Sequence, residues 1–291
     1  MHGSVLVLDD TVYCAVGRSS YLDGGIHLYG LDLNSGQQRY HAQLQGPDVD
    51  LSNEAWFDGY NDSGGRGALS DILQVSGPLI CMRNRAFDRE LQIHKEAAPM
   101  HLQPMGGFLD GTYFKRYFWF YGTPMNRPLY AAMARPQITA EQMSIALAQL
   151  LVRDEGALYG MRMFDSMKLL YADNYFVPGK DGYLLFTVAP GYGEPMWSTR
   201  GPVRVTAMAV TPNRLVVAGA PDVVDPADPL AAFEARKGGR LRLVSTVDGS
   251  TREEHQFGSP PVFNGLAVAR GRVFVSLELG KVLCLSAAGR P

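Results

Sequence analysis

The feature that most constrains this chain is a pair of short phrases that return along it in the same order. The first phrase consists of two apolar runs, residues 5–8 and 11–17, separated by Asp9 and Asp10. Two such runs around a tight polar turn are typical of a β-hairpin. Four further copies of this phrase lie at 71–83, 150–161, 207–219 and 266–276.

A second phrase follows the first one. Residues 26–32 form an apolar run that ends in a turn, and a polar strand is predicted from 37 to 44. The same order returns at 240–257, and a final short copy occupies 280–286. The turns contain Gly36 and Gly249, which supply the positive φ that hairpin turns need. Each full unit therefore holds four short strands.

Four-stranded units that recur every 40 to 50 residues or so are the signature of β-propeller blades. We therefore predict an all-β fold, a single β-propeller domain over residues 1–291 with antiparallel blades. At about 45 residues per blade, the length predicts six to seven blades, with an incomplete ring as an open alternative. A β-sandwich is the structural alternative. One short helix is predicted near 140–149, after a capping box at Thr139, unless Leu147 onward is already strand.

Charge, hydrophobicity and cysteine spacing limit the partners and the kinds of segment that this chain is expected to have. The net charge is −2 and the basic residues are scattered, so no nucleic-acid partner is expected. No apolar run reaches 18 residues, which excludes a transmembrane helix, and no signal peptide is evident. Cys14, Cys81 and Cys284 each lie in an apolar run at wide spacing, which predicts buried thiols rather than disulfides.

The second phrase also carries a family resemblance. Residues 28–36, with Tyr40 four residues after Gly36, resemble the PQQ-like repeat of quinoprotein-alcohol-dehydrogenase-like propellers. In that repeat a small-x-Asp-x-x-Thr-Gly run precedes a tryptophan. Residues 15–25, 116–122 and 220–234 look like segments of large PQQ-like propeller proteins of environmental bacteria. The resemblance implies a periplasmic or extracellular protein, and it predicts that the chain is the C-terminal part of a longer one.

Members of this class include quinone-dependent dehydrogenases and non-catalytic scaffolds, and the departures from the pattern favour the scaffolds. A quinoprotein dehydrogenase is expected to carry two adjacent cysteines, which this sequence lacks. Ser35 stands at the threonine position and Tyr40 at the tryptophan position. No PQQ and no other cofactor is therefore predicted.

One acidic segment is a candidate site for a bound calcium ion. Asp48, Asp50, Asn53 and Glu54 place oxygen ligands close together, as at the start of a calcium loop. The glycine and distal glutamate of an EF-hand are not in position. A solvated loop is therefore predicted, calcium is the alternative, and no metal site is assigned.

Candidate ligand-binding residues come from strand ends and the loops after them, which converge on one face of a propeller. Guanidinium groups there suit carboxylates, phosphates and sugar hydroxyls. The candidates for this channel face are Arg18, Asp23, Arg83, Arg85, Arg116, Trp119 and Arg162. The alternative is ordinary ion pairing with Asp23, Asp71, Asp88 or Asp165. The aromatic run 113–121 is either a core strand or a stacking platform for a sugar or peptide.

These observations predict a non-catalytic scaffold that binds a protein or carbohydrate partner, with no catalytic residue assigned. The alternatives are a channel-centred polysaccharide hydrolase or lyase and a degenerate quinone-dependent oxidoreductase. An enzyme would bring two carboxylates, or a histidine and a carboxylate, together at the channel mouth with perturbed pKa values. Whether the chain is an enzyme stays open at this point.

Overall fold

The computed structural model describes residues 5–46, 68, 70–83, 85–94, 98–104, 119–122, 148–163, 176–190 and 194–286. The chain divides into two compact units, Met1–Ile145 and Ala146–Pro291. Within the described ranges every regular element is a β-strand. In that part of the chain no helix has the length and apolar character needed to cross a membrane.

The first unit contains three antiparallel sheets in its described residues, with strand orders β1-β2-β3-β4, β5-β6-β7 and β8-β9. The strands are β1 (Leu6–Leu8), β2 (Thr11–Val16), β3 (Ile26–Asp32), β4 (Gln38–Leu44), β5 (Gln74–Ser76), β6 (Leu79–Met82), β7 (Arg85–Phe87), β8 (His101–Pro104) and β9 (Trp119–Gly122). The first sheet follows the two sequence phrases closely, which confirms the four-stranded unit.

The second unit contains two four-stranded sheets and one three-stranded sheet, with orders β10-β11-β12-β13, β14-β15-β16-β17 and β18-β19-β20. The strands are β10 (Leu150–Arg153), β11 (Leu158–Arg162), β12 (Tyr183–Val188), β13 (Trp197–Gly201), β14 (Val203–Thr211), β15 (Arg214–Pro221), β16 (Gly239–Ser245), β17 (Thr251–Phe257), β18 (Pro261–Ala269), β19 (Arg272–Leu277) and β20 (Val282–Ser286). All pairings are antiparallel between neighbours.

Strand β15 lies at the centre of the second unit because it buries both of its faces. Leu215 and Val217 pack into the cluster shared with the sheet β10–β13. Val216 and Ala218, which point the other way, pack with Val275 and the rest of the last sheet. Successive side chains of a strand alternate between faces, so a strand covered on both sides reads as one continuous apolar run.

Four-stranded meanders stacked face to face in this way are β-propeller blades. The all-β propeller class is therefore confirmed. Over the described residues the chain forms five blades of three or four strands, beside the two-stranded ladder β8–β9, and not the predicted six to seven. The prediction assumed blades of about 45 residues. The units from Leu150 to Gly201 and from Val203 to Phe257 are longer than that.

In the first unit, one face of the sheet β1–β4 is buried and the other face is partly exposed. Tyr13, Ile26 and Leu28 are buried in a core that also includes Phe87 of the next sheet. The intervening residues of β3 turn to the other face and stay partly exposed. Gly25, at φ 96°, fixes where β3 starts, because a Cβ there would collide with the carbonyl oxygen of Leu44.

Two other sequence predictions have mixed outcomes. Most of the helix predicted at 140–149 lies outside the described residues, and Gln149, directly before β10, donates its N–H to the Met161 carbonyl (2.8 Å). Cys14 and Cys81 are buried as predicted. The prediction is wrong for Cys284, which is exposed because it points outward from β20. The single-domain prediction stays a prediction.

Candidate functional site

Two of the predicted channel-face residues are brought together in the β2–β3 loop. Arg18 Nη2 lies 3.1 Å from Asp23 Oδ2, and both side chains are exposed. The buried Ser20 fixes this loop, since its hydroxyl accepts the Ala68 N–H at 2.9 Å and its own N–H donates to the Ala68 carbonyl. Arg18 and Asp23 therefore form an ion pair within one loop, as the alternative interpretation of these residues expected.

The other predicted residues have varied surroundings. Arg83, at φ 55°, and the buried Arg85 flank the turn between β6 and β7. Arg162 ends β11, and its guanidinium lies 4.4 Å from the centre of the Phe186 ring. Trp119 begins β9 and is half-buried, whereas Arg116 lies outside the described residues. A shared ligand face for this set stays a prediction.

The acidic segment considered for calcium and the aromatic run considered as a stacking platform lie mostly outside the described residues. The acidic segment 48–54 falls there entirely, so the calcium alternative stays a prediction. Among the residues with described positions, no group of three or more His, Cys, Asp or Glu side chains is placed to hold a metal ion. In the aromatic run 113–121, the described residues Phe120 and Tyr121 are buried in β9.

Aspartates with a lowered pKa occur at turns and ion pairs of the described residues. Hydrogen bonds from Ser35 lower the pKa of Asp32 to about 2, and those from Ser250 do the same for Asp248. The hydrogen bond from Arg39 lowers the pKa of Asp10, and the one from Lys237 lowers that of Asp225. A lowered pKa keeps these carboxylates charged and bound to their neighbours, which suits turn structure. The enzyme alternatives stay predictions.

The most elaborate connection in the described chain is the β15–β16 loop (residues 222–238). Asp222 anchors its start, because its N–H donates to the Pro202 carbonyl (2.8 Å) and its Oδ1 accepts the Gly179 N–H (2.9 Å). Within the loop, the side chains of Ala231 and Ala232 are buried. These contacts hold the loop against the body of the second unit.

Ion pairs within the β15–β16 loop fix its shape. Arg236 binds Asp228 at 2.6 Å and also contacts Glu234. Lys237 binds Asp225 at 2.9 Å. These side chains are part-exposed, so each pair alone contributes little, but together they pair the two cations of the loop with three of its carboxylates.

Backbone hydrogen bonds close the middle of the same loop. The Glu234 N–H donates to the Leu230 carbonyl at 2.9 Å, and the Arg236 N–H donates to the Ala231 carbonyl at 2.8 Å. On this framework Leu230 and Phe233 remain 57% and 66% exposed. The Arg204 guanidinium lies 4.3 Å from the centre of the Phe233 ring, a cation–π distance that orients the ring.

Trp197 of β13 is a structural anchor that the sequence analysis missed. Its Nε1–H donates to the Thr246 carbonyl at 2.9 Å, in the turn after β16 of the next blade. Its ring covers Gly249, where a Cβ would lie 2.6 Å from the ring. The spacing could have revealed it, since Trp197 follows Gly193 by four residues, just as Tyr40 follows Gly36.

No family model and no curated protein matches the chain. Among solved structures it is similar to BamB from Moraxella catarrhalis at 9% identity, over 99% of this chain and 70% of that one, with a TM-score of 0.42. A quinohemoprotein alcohol dehydrogenase from Comamonas testosteroni is matched at 11% identity, over 94% of this chain and 51% of that one, with a TM-score of 0.41. The quinohemoprotein alcohol dehydrogenase ADHIIG from Pseudomonas putida HK5 is matched at 11% identity, over 97% and 57%, with a TM-score of 0.39. The fold itself is given by the strand pairing described above.

Proposed function

We propose that this chain is a non-catalytic binding module that takes a protein partner on the β15–β16 loop. The observation that carries the proposal is a pair of large apolar side chains held in solvent on a fixed framework. Leu230 and Phe233 are more than half exposed, while the buried Ala231 and Ala232 hold the backbone between them. Exposed apolar groups on an ordered loop are typical of interaction sites.

Two physical arguments favour a protein as the partner. A loop whose shape is already fixed loses little conformational freedom on binding, so more of the contact energy appears as affinity. The charges of Asp225, Asp228 and Arg236 are already paired inside the loop, so a partner need not neutralise them. What the loop offers a partner is therefore chiefly apolar and aromatic surface, which dominates the energy of protein interfaces.

A carbohydrate partner receives less support. Sugar recognition by stacking needs an aromatic ring face that is open to solvent. The predicted platform for a sugar was the aromatic run 113–121, in which Phe120 and Tyr121 are buried, Trp119 is half-buried and residues 113–118 lie outside the described residues. A protein partner is therefore the proposal, and a carbohydrate partner stays the alternative.

Site-specific photo-crosslinking in cells of the native organism tests the proposal. A photoreactive phenylalanine analogue replaces Phe233, and the products are resolved by electrophoresis and mass spectrometry. We expect one discrete protein adduct from this position. The Leu230→Asp variant should remove that adduct, because a charge at the centre of an apolar contact costs the desolvation of that charge.

The matched control places the same analogue at Val247, another exposed apolar residue of the second unit, in the β16–β17 turn. No discrete adduct is expected there. Equal adducts from both positions, or an adduct at 233 that survives Leu230→Asp, would contradict the proposal. A product that carries glycan and no protein would favour the carbohydrate alternative instead.

A further inference from the structure

Two histidines meet on the partly exposed face of the first sheet. His27 on β3 and His41 on β4 are fourteen residues apart, and antiparallel pairing of Tyr29 with His41 makes the two histidines diagonal neighbours. His27 Nδ1 lies 3.0 Å from His41 Nε2. The ring centres are 5.3 Å apart with an angle of 19° between the planes, so the rings meet edge to edge.

A separation of 3.0 Å between two ring nitrogens requires something between them. In the metal-free protein that is a shared proton, with one ring donating N–H and the other accepting. A single metal ion is the other solution, bound to one side of the line between the two nitrogens after both rings tilt toward it. With metal–nitrogen bonds of about 2.0–2.1 Å, two neighbouring imidazole ligands place their nitrogens about 2.9–3.4 Å apart.

We infer that His27 and His41 form a chelating site for a divalent late transition-metal ion. Neutral imidazole is a ligand that Cu²⁺, Ni²⁺ and Zn²⁺ accept, with Cu²⁺ bound most tightly in this series. The ion takes the place of the shared proton, which moves to the outer nitrogen of the same ring, so both imidazoles stay neutral. Water completes the coordination, since no described group of three or more ligating side chains surrounds the pair.

Neighbouring residues hold both rings, which lowers the entropy cost of chelation. The Tyr29 ring lies 4.9 Å from the His41 ring, centre to centre. On the other side, the Gln43 side-chain amide donates to the Gly24 carbonyl at 2.7 Å. Gly24 borders His27, because a Cβ at Gly24 would lie 4.0 Å from His27 Nε2. The small glycine leaves that outer nitrogen room for the displaced proton.

The histidine pair belongs to the first compact unit and the β15–β16 loop to the second. The metal site is therefore independent of the proposed protein-binding function. Failure of either proposal leaves the other standing.

Calorimetric titration of the full chain with Cu²⁺ tests the inference. We expect wild type to hold one Cu²⁺ on this pair, and His27→Gln or His41→Gln to weaken that binding on the order of tenfold or more, because each removes one arm of the chelate. The double variant should bind more weakly than either single variant, but by less than the two single losses combined, because a single variant keeps only one imidazole arm. Electron paramagnetic resonance should show two nitrogen couplings in wild type and fewer in either variant.

Three controls separate this site from other histidines and from general cation binding. His255→Gln removes an exposed histidine of β17, and His2→Gln removes one near the amino terminus that could bind copper with the terminal amine. Neither should change the affinity assigned to the pair. Ca²⁺, which prefers oxygen ligands, should give no signal that depends on His27 or His41. Wild-type affinity in both single variants, or losses that add in the double variant, would overturn the inference.

Discussion

Asp32 and Asp248 show how single carboxylates shape the turns of this fold. Both turns share one backbone bond, from the N–H of Gly36 to the Asp32 carbonyl and from the N–H of Gly249 to the Ser245 carbonyl. The aspartates occupy different positions in these turns. Asp32 lies four residues before its turn glycine, and its Oδ1 accepts hydrogen bonds from the Asn34 N–H, the Ser35 N–H and the Ser35 hydroxyl. Asp248 lies directly before its turn glycine, and its Oδ1 accepts the Ser250 hydroxyl at 2.6 Å. The same turn is thus stabilised by a carboxylate from either end.

The low pKa of Asp32 predicts a stability difference that depends on pH. The pKa falls from the ordinary 3.8 to about 2, chiefly through the Ser35 N–H and hydroxyl. Because the folded-state pKa is the lower one, the carboxylate stabilises fully above about pH 4, and this contribution is lost as pH falls through 2. Asp32→Ala should therefore lower the melting temperature at pH 7, with the difference from wild type shrinking between pH 4 and pH 2.

Thermal unfolding followed by circular dichroism across this pH range measures the effect. Glu155→Ala, at an exposed position in the β10–β11 turn, is the control and should track wild type throughout. A gap between Asp32→Ala and wild type that stays constant down to pH 2 would contradict the assignment.

At the scale of elements, one indole adds a hydrogen bond between two consecutive blades of the second unit. The Trp197 ring contacts the β16–β17 turn of the following blade. Its Nε1–H donates to the Thr246 carbonyl, and the ring packs over Gly249. The Tyr159 ring lies 6.3 Å from it, centre to centre, on its own sheet. The contact therefore adds a directional link between the sheets β10–β13 and β14–β17, which also share a buried core.

Trp197→Phe tests this junction. The variant loses the hydrogen bond and part of the ring, which should lower the free energy of unfolding by about 1–2 kcal/mol. Urea denaturation followed by far-ultraviolet circular dichroism provides the measurement. Met196→Ala, which truncates the exposed neighbouring side chain, should change stability by less than about 0.5 kcal/mol. Equal stability of Trp197→Phe and wild type would show that the indole does not join the blades.

The repeat phrases predicted the strands that carry them and missed those that do not. Strands β1–β4 and β14–β17 follow both phrases, because their turns carry glycines with φ 70° at Gly36 and Gly249. Strand β12 belongs to no phrase, because it is buried along its whole length and does not alternate between apolar and polar residues. Periodicity cannot identify a strand that is apolar on both faces.

The sites were harder to predict than the strands. Sequence analysis assigned candidates from strand ends as one ligand face, with ion pairing as the alternative, and the pairing of Arg18 with Asp23 follows that alternative. Local spacing does not relate His27 to His41, because they meet only through the register of β3 and β4. The β15–β16 loop was noticed for its resemblance to other proteins. Its exposed side chains depend on ion pairs that no local pattern encodes.

At the scale of the whole molecule, the three cysteines lie on separate sheets and differ in burial. Cys14 lies on β2, Cys81 on β6 and Cys284 on β20. Burial raises the pKa of the Cys81 thiol to about 11 and also raises that of Cys14, so both hold less of the reactive thiolate, whereas Cys284 is exposed. In the native protein we expect one thiol to react rapidly with a thiol reagent, and all three to react once the chain is unfolded.

Ellman's reagent with and without denaturant counts these thiols directly. Cys284→Ser should remove the fast native signal and leave two thiols in the unfolded chain. Rapid reaction of Cys14 or Cys81 in native buffer would show that the core of the first unit opens more easily than its packing implies.

The self-contained bonding of the β15–β16 loop has a consequence for how such a surface can change over evolution. Arg236 and Lys237 bind carboxylates inside the loop, and Leu230 and Phe233 point away from that framework. Substitutions at these two tip residues should therefore leave the blade beneath them intact. A lineage can exchange one partner for another at this position while it inherits the scaffold unchanged.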